Sequence, residues 1–128
     1  MKKTLQRSIL GANILWALTI FILCVLPRES FPDTSRLHIP HLDKIVHGGM
    51  FFLMSMLICF YYTKQGLSRK AGCVLAGAVS LLYGGLIEVL QQYFFNRGGD
   101  VWDLVADVAG GICGCWFYHF LHRRYPKL

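Results

Sequence analysis

The chain has 128 residues, of which 55% are hydrophobic and 16% charged. Soluble domains carry about 25% charged residues, so this composition argues against a soluble domain and favours a membrane protein. The net charge of +6 does not indicate nucleic-acid binding, because the basic residues form short clusters beside apolar runs and no nucleic-acid-binding motif is present. The length fits a single domain, which we predict to cover residues 1–128.

Four apolar segments are each long enough to cross a bilayer. A hydrocarbon core about 30 Å thick requires about 20 consecutive apolar residues in a helix. The first segment follows a basic start and stops at Pro27, and it is too long for a cleaved signal peptide, so we interpret it as a retained signal anchor. We predict an all-α bundle of four transmembrane helices, at about residues 9–26, 42–62, 71–94 and 100–121.

Charge is sorted along the chain as in a polytopic membrane protein. Nine of the 13 Lys and Arg residues flank segments on the side of the N-terminus, and all seven acidic residues lie on or toward the other side. Because basic loops are retained in the cytoplasm during insertion, we predict a multi-pass protein with both termini cytoplasmic. The basic residues predicted to be cytoplasmic are Lys2, Lys3, Arg7, Lys64, Arg69, Lys70, Arg123, Arg124 and Lys127, and those predicted to be external are Arg28, Arg36, Lys44 and Arg97.

The cysteines all lie in apolar segments. None shows a CxxC or metal-ligand spacing, and the two in the C-x-C sequence point about 200° apart on a helix. We interpret them as small buried hydrophobic residues and predict no disulfide framework. They are Cys24, Cys59, Cys73, Cys113 and Cys115.

The predicted fourth helix carries a polar stripe on one face. Its members are spaced 3, 4, 3 and 4 residues apart: Asp100, Asp103, Asp107, Gly110 and Gly114. Glycines let a neighbouring helix approach closely, so we expect this stripe to face protein rather than lipid. With a rise of 1.5 Å per residue, Asp107 would lie about 10 Å below Asp100 and would be the deepest carboxylate.

Two further helices are predicted to bring polar side chains to the same outer half. Glu88 and Gln91 share a face of the third helix, and Asp43 and His47 lie one turn apart at the start of the second. Ionisable groups inside membrane segments are costly and usually functional. Several carboxylates this close cannot all be ionised unless shared protons, a divalent cation or nearby basic groups neutralise them. The basic groups at that level are Lys44, His47 and Arg97.

These residues form the candidate site. An alternative interpretation is that the polar groups only hydrogen-bond across helices and fix their packing, at less than about 2 kcal/mol each. We favour a functional site because so many ionisable groups converge. The candidate catalytic residues are Asp43, His47, Glu88, Asp103 and Asp107, and the candidate substrate-binding residues are Arg97, Gln91 and Asp100.

Three sequence stretches resemble the VanZ-like family. Residues 43–52 (DKIVHGGMFF) resemble its opening motif, and residues 88–92 (EVLQQ), Arg97 and residues 100–110 (DVWDLVADVAG) resemble its signature of spaced Glu, Gln, Arg and Asp. The last polar position of that signature is often Asn and is Asp107 here. The resemblance runs from Asp43 to Gly114, a little over half of the chain. It implies a small protein of the bacterial cytoplasmic (inner) membrane with an outward-facing polar site, in a family whose founding member is associated with teicoplanin resistance.

Three functions are compatible with this sequence. The first is a site that binds the headgroup of a cell-envelope lipid or glycolipid. If the site also modifies the headgroup, the expected chemistry is phosphoryl or glycosyl transfer. The second is proton- or ion-coupled translocation of a small solute, for which the deep Asp107 is suited. The third is a structural partner of another envelope protein. The sequence leaves open whether a divalent cation is bound, which oligomer forms and whether the protein is an enzyme.

Overall fold

The structure is a computed structural model that describes residues 2–33 and 39–126, apart from the side chains of Lys2 and Arg28. Arg36 and Lys127, whose positions the charge pattern predicts, lie outside the described residues. The described part of the chain is all-helical. It contains α1 (Lys2–Val25), a short 3-10 turn (Arg28–Ser30), α2 (Leu42–Lys64), α3 (Arg69–Tyr93) and α4 (Val101–Arg124).

Each of the four α-helices is long and apolar enough to cross a membrane, which confirms the predicted fold class. The helices extend beyond the predicted apolar segments, most clearly in α1, which begins at Lys2 rather than near residue 9. Lys, Arg and Gln are good helix formers, so the helix continues into the polar flanks that hydrophobicity leaves out. Large apolar side chains are exposed on all four helices, as expected of a multi-pass membrane protein in contact with lipid. Examples are Leu15, Leu53, Leu82 and Trp116.

The chain reverses between α3 and α4 in a short loop. Asn96 and Gly98 adopt left-handed conformations there, with φ of 54° and 68°, which Asn and Gly tolerate better than other residues. Asp100 then caps α4, because its side chain accepts a hydrogen bond from the backbone N–H of Trp102. This reversal brings the start of α4 beside the end of α3.

Both α1 and α4 pack against α2 and α3. Two aromatic side chains link α1 to α2 and α3 by donating hydrogen bonds to backbone carbonyls. The indole of Trp16 donates to the carbonyl of Met50 at 3.0 Å, and the hydroxyl of Tyr83 donates to that of Ala17 at 2.6 Å. In a membrane, such interhelical hydrogen bonds stabilise a bundle that hydrophobicity alone does not assemble.

The glycines of α4 permit its close contact with α2. A Cβ atom at Gly110 would overlap the backbone of Gly48, and a Cβ atom at Gly114 would overlap the backbone of Phe52. These positions therefore pack backbone against backbone. The prediction that the glycine part of the stripe faces a neighbouring helix is confirmed, and the structure identifies that neighbour as α2.

A disulfide links α3 to α4, and the prediction of no disulfide is wrong for this pair. Cys73 and Cys115 are bonded across the two helices, with their Cα atoms 5.7 Å apart. Spacing within one helix cannot reveal such a pair, because the pairing depends on how two distant segments pack. Of the three free cysteines, Cys24 and Cys59 are buried as predicted, whereas Cys113 is exposed.

Candidate functional site

The carboxylates converge at one end of the bundle, where α2 and α4 begin and α1 and α3 finish; we call it the acidic end. Lys44, in the first turn of α2, lies at its centre. Its ammonium donates hydrogen bonds to Asp100 at 2.7 Å, Asp103 at 3.0 Å and Asp43 at 3.3 Å. One cation thus partly compensates three carboxylates. The hydrogen bond from Lys44, followed by that from the Trp102 backbone, keeps the pKa of Asp100 below its ordinary value.

A histidine and an aspartate form a further contact, deeper between the helices. Nδ1 of His47 is 3.1 Å from Oδ1 of Asp107, and both side chains are buried, Asp107 completely. Asp107 fits there because α3 has a glycine opposite it. A Cβ atom at Gly84 would lie 2.7 Å from Oδ2 of Asp107, well inside van der Waals contact. The glycine of α3 therefore makes room for the deepest carboxylate of α4.

Glu88 of α3 faces the same deep region. Its Oε2 accepts a hydrogen bond from the backbone N–H of Asp100 at 2.7 Å, which connects the end of α3 to the start of α4. Its other oxygen, Oε1, is buried, and so is Oδ2 of Asp107. Neither has a hydrogen-bond partner within the described part of the chain. Buried polar oxygens normally have a hydrogen-bond partner, so two unpaired oxygens on neighbouring carboxylates require an explanation.

Two groups of side chains have the spacing of potential metal ligands among the residues that the structure describes. His47, Glu88 and Asp107 each offer a ligand atom, and these atoms lie within 4.8 Å of one another at the acidic end. Cys59, Cys115 and His119 form a second group at the same spacing, in the opposite half of the bundle. The second group shares Cys115 with the disulfide.

Arg97 and Gln91 have structural contacts that the sequence did not reveal. Nη1 of Arg97 donates to the carbonyls of Leu23, Cys24 and Leu26 at 2.8–3.1 Å, and Nε2 of Gln91 donates to that of Cys24 at 2.7 Å. These carbonyls belong to the last turn of α1 and the residue after it, where the helix itself provides no donors. Arg97 and Gln91 therefore fasten the end of α1 to the acidic end.

A pocket of about 350 Å³ opens at the acidic end. Its walls are largely apolar, with polar and charged groups from α2, α3, α4 and the α3–α4 loop among them. This combination suits a ligand with both a polar and an apolar part. The polar lining residues are Asp43, His47, Gln91, Arg97 and Asp103, and the apolar ones include Leu23, Leu42, Val46 and Met50.

The sequence-predicted residues thus lie in two linked clusters. Asp43, Asp100 and Asp103 surround Lys44, whereas Glu88 and Asp107 lie near His47. Asp43 lies one turn before His47 on the same helix, but the carboxylate that contacts His47 is Asp107 of α4. Lys44 was among the basic groups that the sequence offered to neutralise the carboxylates, and it contacts three of them.

The sequence model of the VanZ/LLP1 family matches residues 12–122 of this chain. The chain belongs to the VanZ/LLP1 family. A curated relative, "Uncharacterized protein C11E3.10" of Schizosaccharomyces pombe, is 31% identical over 108 residues, covering 84% of this chain and 65% of the relative. The match thus spans less than two-thirds of that relative's length. No solved structure matches the chain.

Proposed function

We propose that the pocket at the acidic end of this VanZ/LLP1 protein binds the polar headgroup of a membrane lipid. The observation that carries the proposal is the mixed lining of the pocket. Arg97, Asp43 and Asp103 line the same 350 Å³ space as Leu42 and Val46. A soluble polar solute would gain little from the apolar walls, and a hydrocarbon chain would gain nothing from the charges. An amphiphile uses both.

The charged groups define the class of headgroup. A guanidinium has five N–H donors, so Arg97 can hold α1 through Nη1 and still donate to a phosphate. Asp43 and Asp103 accept hydrogen bonds from an amine or a hydroxyl group. A headgroup with a phosphate and an amine, or a phosphate and sugar hydroxyls, satisfies both kinds of group. We therefore assign the pocket to a phospholipid or glycolipid.

The His47–Asp107 pair supports modification of that headgroup as a second function. A general base requires an imidazole within reach of the substrate and a carboxylate that orients it. His47 lines the pocket, and Asp107 lies 3.1 Å behind it. The pair would accept a proton from an attacking hydroxyl or water in a phosphoryl or glycosyl transfer.

We further propose that both termini are cytoplasmic and that the acidic end faces outward from the cytoplasmic membrane. The support is the concentration of basic residues at the other end of the bundle, in line with the positive-inside rule. Alkaline phosphatase fused after Arg124 should be inactive in a bacterial host, and green fluorescent protein fused there should fluoresce. The opposite pattern would reverse the orientation and place the pocket toward the cytoplasm.

Lipid retention tests the binding function. Protein purified in mild detergent is mixed with phosphatidylethanolamine or with a diacylglycerol of the same acyl chains, and bound lipid is counted by native mass spectrometry. We expect the wild type to retain the phospholipid and not the diacylglycerol. Val46→Trp, which fills the pocket, should lower retention about tenfold, equivalent to about 1.4 kcal/mol.

The matched control is Leu82→Trp, which adds the same side chain at an exposed position of α3. It should retain phospholipid as the wild type does. Equal retention by Val46→Trp and Leu82→Trp would contradict the proposal. In a bacterial host, a change in teicoplanin susceptibility that depends on the wild type and is lost in Val46→Trp would extend the function to the envelope role that the family resemblance implies.

A further inference from the structure

We propose that His47, Glu88 and Asp107 bind one divalent transition-metal ion of the zinc class. Three separate helices supply the ligands: α2, α3 and α4. The ligand atoms already lie within 4.8 Å of one another. Two ligands of one ion, each about 2.1 Å from it, are about 3.4 Å apart in a tetrahedral site. Small side-chain movements therefore suffice to close the site around an ion.

Two buried oxygens without a hydrogen-bond partner indicate a metal ion as their missing partner. Oε1 of Glu88 and Oδ2 of Asp107 have no hydrogen-bond partner in the described part of the chain. Both residues are at least nine-tenths buried, as is His47. A carboxylate oxygen that is withdrawn from water and left unpaired is costly. A metal ion between the two carboxylates removes that cost for both oxygens.

The charges of the site also fit a divalent ion. Lys44 hydrogen-bonds to Asp43, Asp100 and Asp103, and it makes no contact of this kind with Glu88 or Asp107. Among the described residues, His47 is therefore the only basic group in hydrogen-bond or ligand range of Glu88 and Asp107. With neutral imidazole, two carboxylates and one divalent cation the net charge is zero. A neutral assembly is the least costly way to bury these groups.

The ligand types select the metal class. Imidazole nitrogen suits Zn²⁺ and similar transition metals, whereas Mg²⁺ and Ca²⁺ prefer oxygen ligands alone. One His and two carboxylates leave a coordination position for water or substrate, as catalytic zinc sites do. His47 belongs to the pocket lining as well, so the ion would lie at the pocket wall. This inference deepens the proposed headgroup binding, and it rests on that function only in assigning the ion to the headgroup. With the ion bound, His47 and Asp107 are its ligands, so the metal site is an alternative to the general-base role of that pair.

Metal titration tests the inference in the absence of lipid. The thiol-containing group of Cys59, Cys115 and His119 also has ligand spacing, so all measurements use a Cys59→Ser background. EDTA-treated protein in detergent is titrated with Zn²⁺ and then with Mg²⁺, and bound metal is measured by mass spectrometry. We expect one Zn²⁺ per chain and weaker binding of Mg²⁺. Asp107→Asn and Glu88→Gln should each weaken Zn²⁺ binding by at least about tenfold.

The matched control is Glu29→Gln, which removes an exposed carboxylate near the end of α1 and should bind Zn²⁺ as its parent does. Melting temperatures in EDTA identify any variant that fails to fold. If Asp107→Asn fails to fold, Glu88→Gln provides the test in its place. Absent Zn²⁺ binding, equal binding in the control and both site variants, or tighter binding of Mg²⁺ would each overturn the inference. Phospholipid retention that persists in EDTA together with such a result would leave the proposed function intact.

Discussion

Along one face of α4, residues 100–107 carry three aspartates, whereas residues 110–114 carry glycines at the corresponding positions. The glycine part touches the backbone of α2, so closely that no side chain fits between the helices. The aspartate part contacts Lys44 and His47 of α2 through side chains and borders a pocket. Helix packing is concentrated in one part of this helical face, which leaves space and charge in the other part for the ligand that we propose.

The aspartate part also lies where buried carboxylate oxygens have no hydrogen-bond partner. Most buried polar groups in proteins are hydrogen-bonded. Within the described chain, Oδ2 of Asp107 and Oε1 of Glu88 on α3 are unpaired. Buried atoms of Tyr118, His119 and His122, beyond the glycines of α4, are unpaired as well, so an unpaired atom alone does not distinguish a site from a packing contact. The aspartate part is distinguished by two such carboxylates that lie at ligand spacing from His47, beside the pocket.

The largest effect should come from breaking the glycine contact. In Gly110→Ala, the new Cβ would overlap the backbone of Gly48, so the helices must separate. We expect a loss of about 3 kcal/mol in the free energy of unfolding, at the upper end of overpacking effects. Thermal unfolding in detergent measures it. Gly49→Ala is the control, because its Cβ meets no atom within 4 Å. A similar melting temperature for the two variants would contradict the assigned contact.

Removing Arg97 should have a smaller effect. This residue lies beside the aspartates, yet its hydrogen bonds hold the end of α1. Arg97→Ala removes the donor to the carbonyls of Leu23 and Leu26, and it leaves the carbonyl of Cys24 with Gln91 alone. We expect a loss of about 2 kcal/mol, typical of hydrogen bonds to a charged group. Arg7→Ala, at an exposed position of α1, should change the melting temperature little. An unaffected melting temperature in Arg97→Ala would show that the α1 contact contributes nothing.

The smallest effect concerns pH and Asp100. Its pKa is lowered in the folded protein by the Lys44 hydrogen bond, so it stabilises the fold at pH values above its ordinary pKa. That contribution is lost as the pH falls below about 4 and through the folded pKa. Asp100→Asn keeps a capping side chain but does not titrate. Between pH 6 and 3, its melting temperature should fall less than that of the wild type. Parallel curves would exclude a contribution from the Lys44–Asp100 pair.

Much of the fold was predictable from the sequence, because apolar length and charge sorting follow from the bilayer itself. The stripe on α4 was predictable from helical periodicity, because residues spaced three and four apart lie on one helical face. What could not be predicted were contacts between helices. The pairing of His47 with Asp107, the bond of Cys73 to Cys115 and the attachment of Arg97 to α1 all depend on packing. Spacing along one helix carries no information about them.

We infer that the aspartate part of α4 binds a ligand rather than only fixing the packing. Asp103→Asn separates these two roles, because the change removes charge with almost no change of shape at a residue that lines the pocket. The same sample should be measured for melting temperature and for retention of phosphatidylethanolamine. We predict a stability loss below about 1 kcal/mol, typical of one interhelical polar contact, together with phospholipid retention reduced about tenfold. Full retention by a folded Asp103→Asn protein would contradict the account.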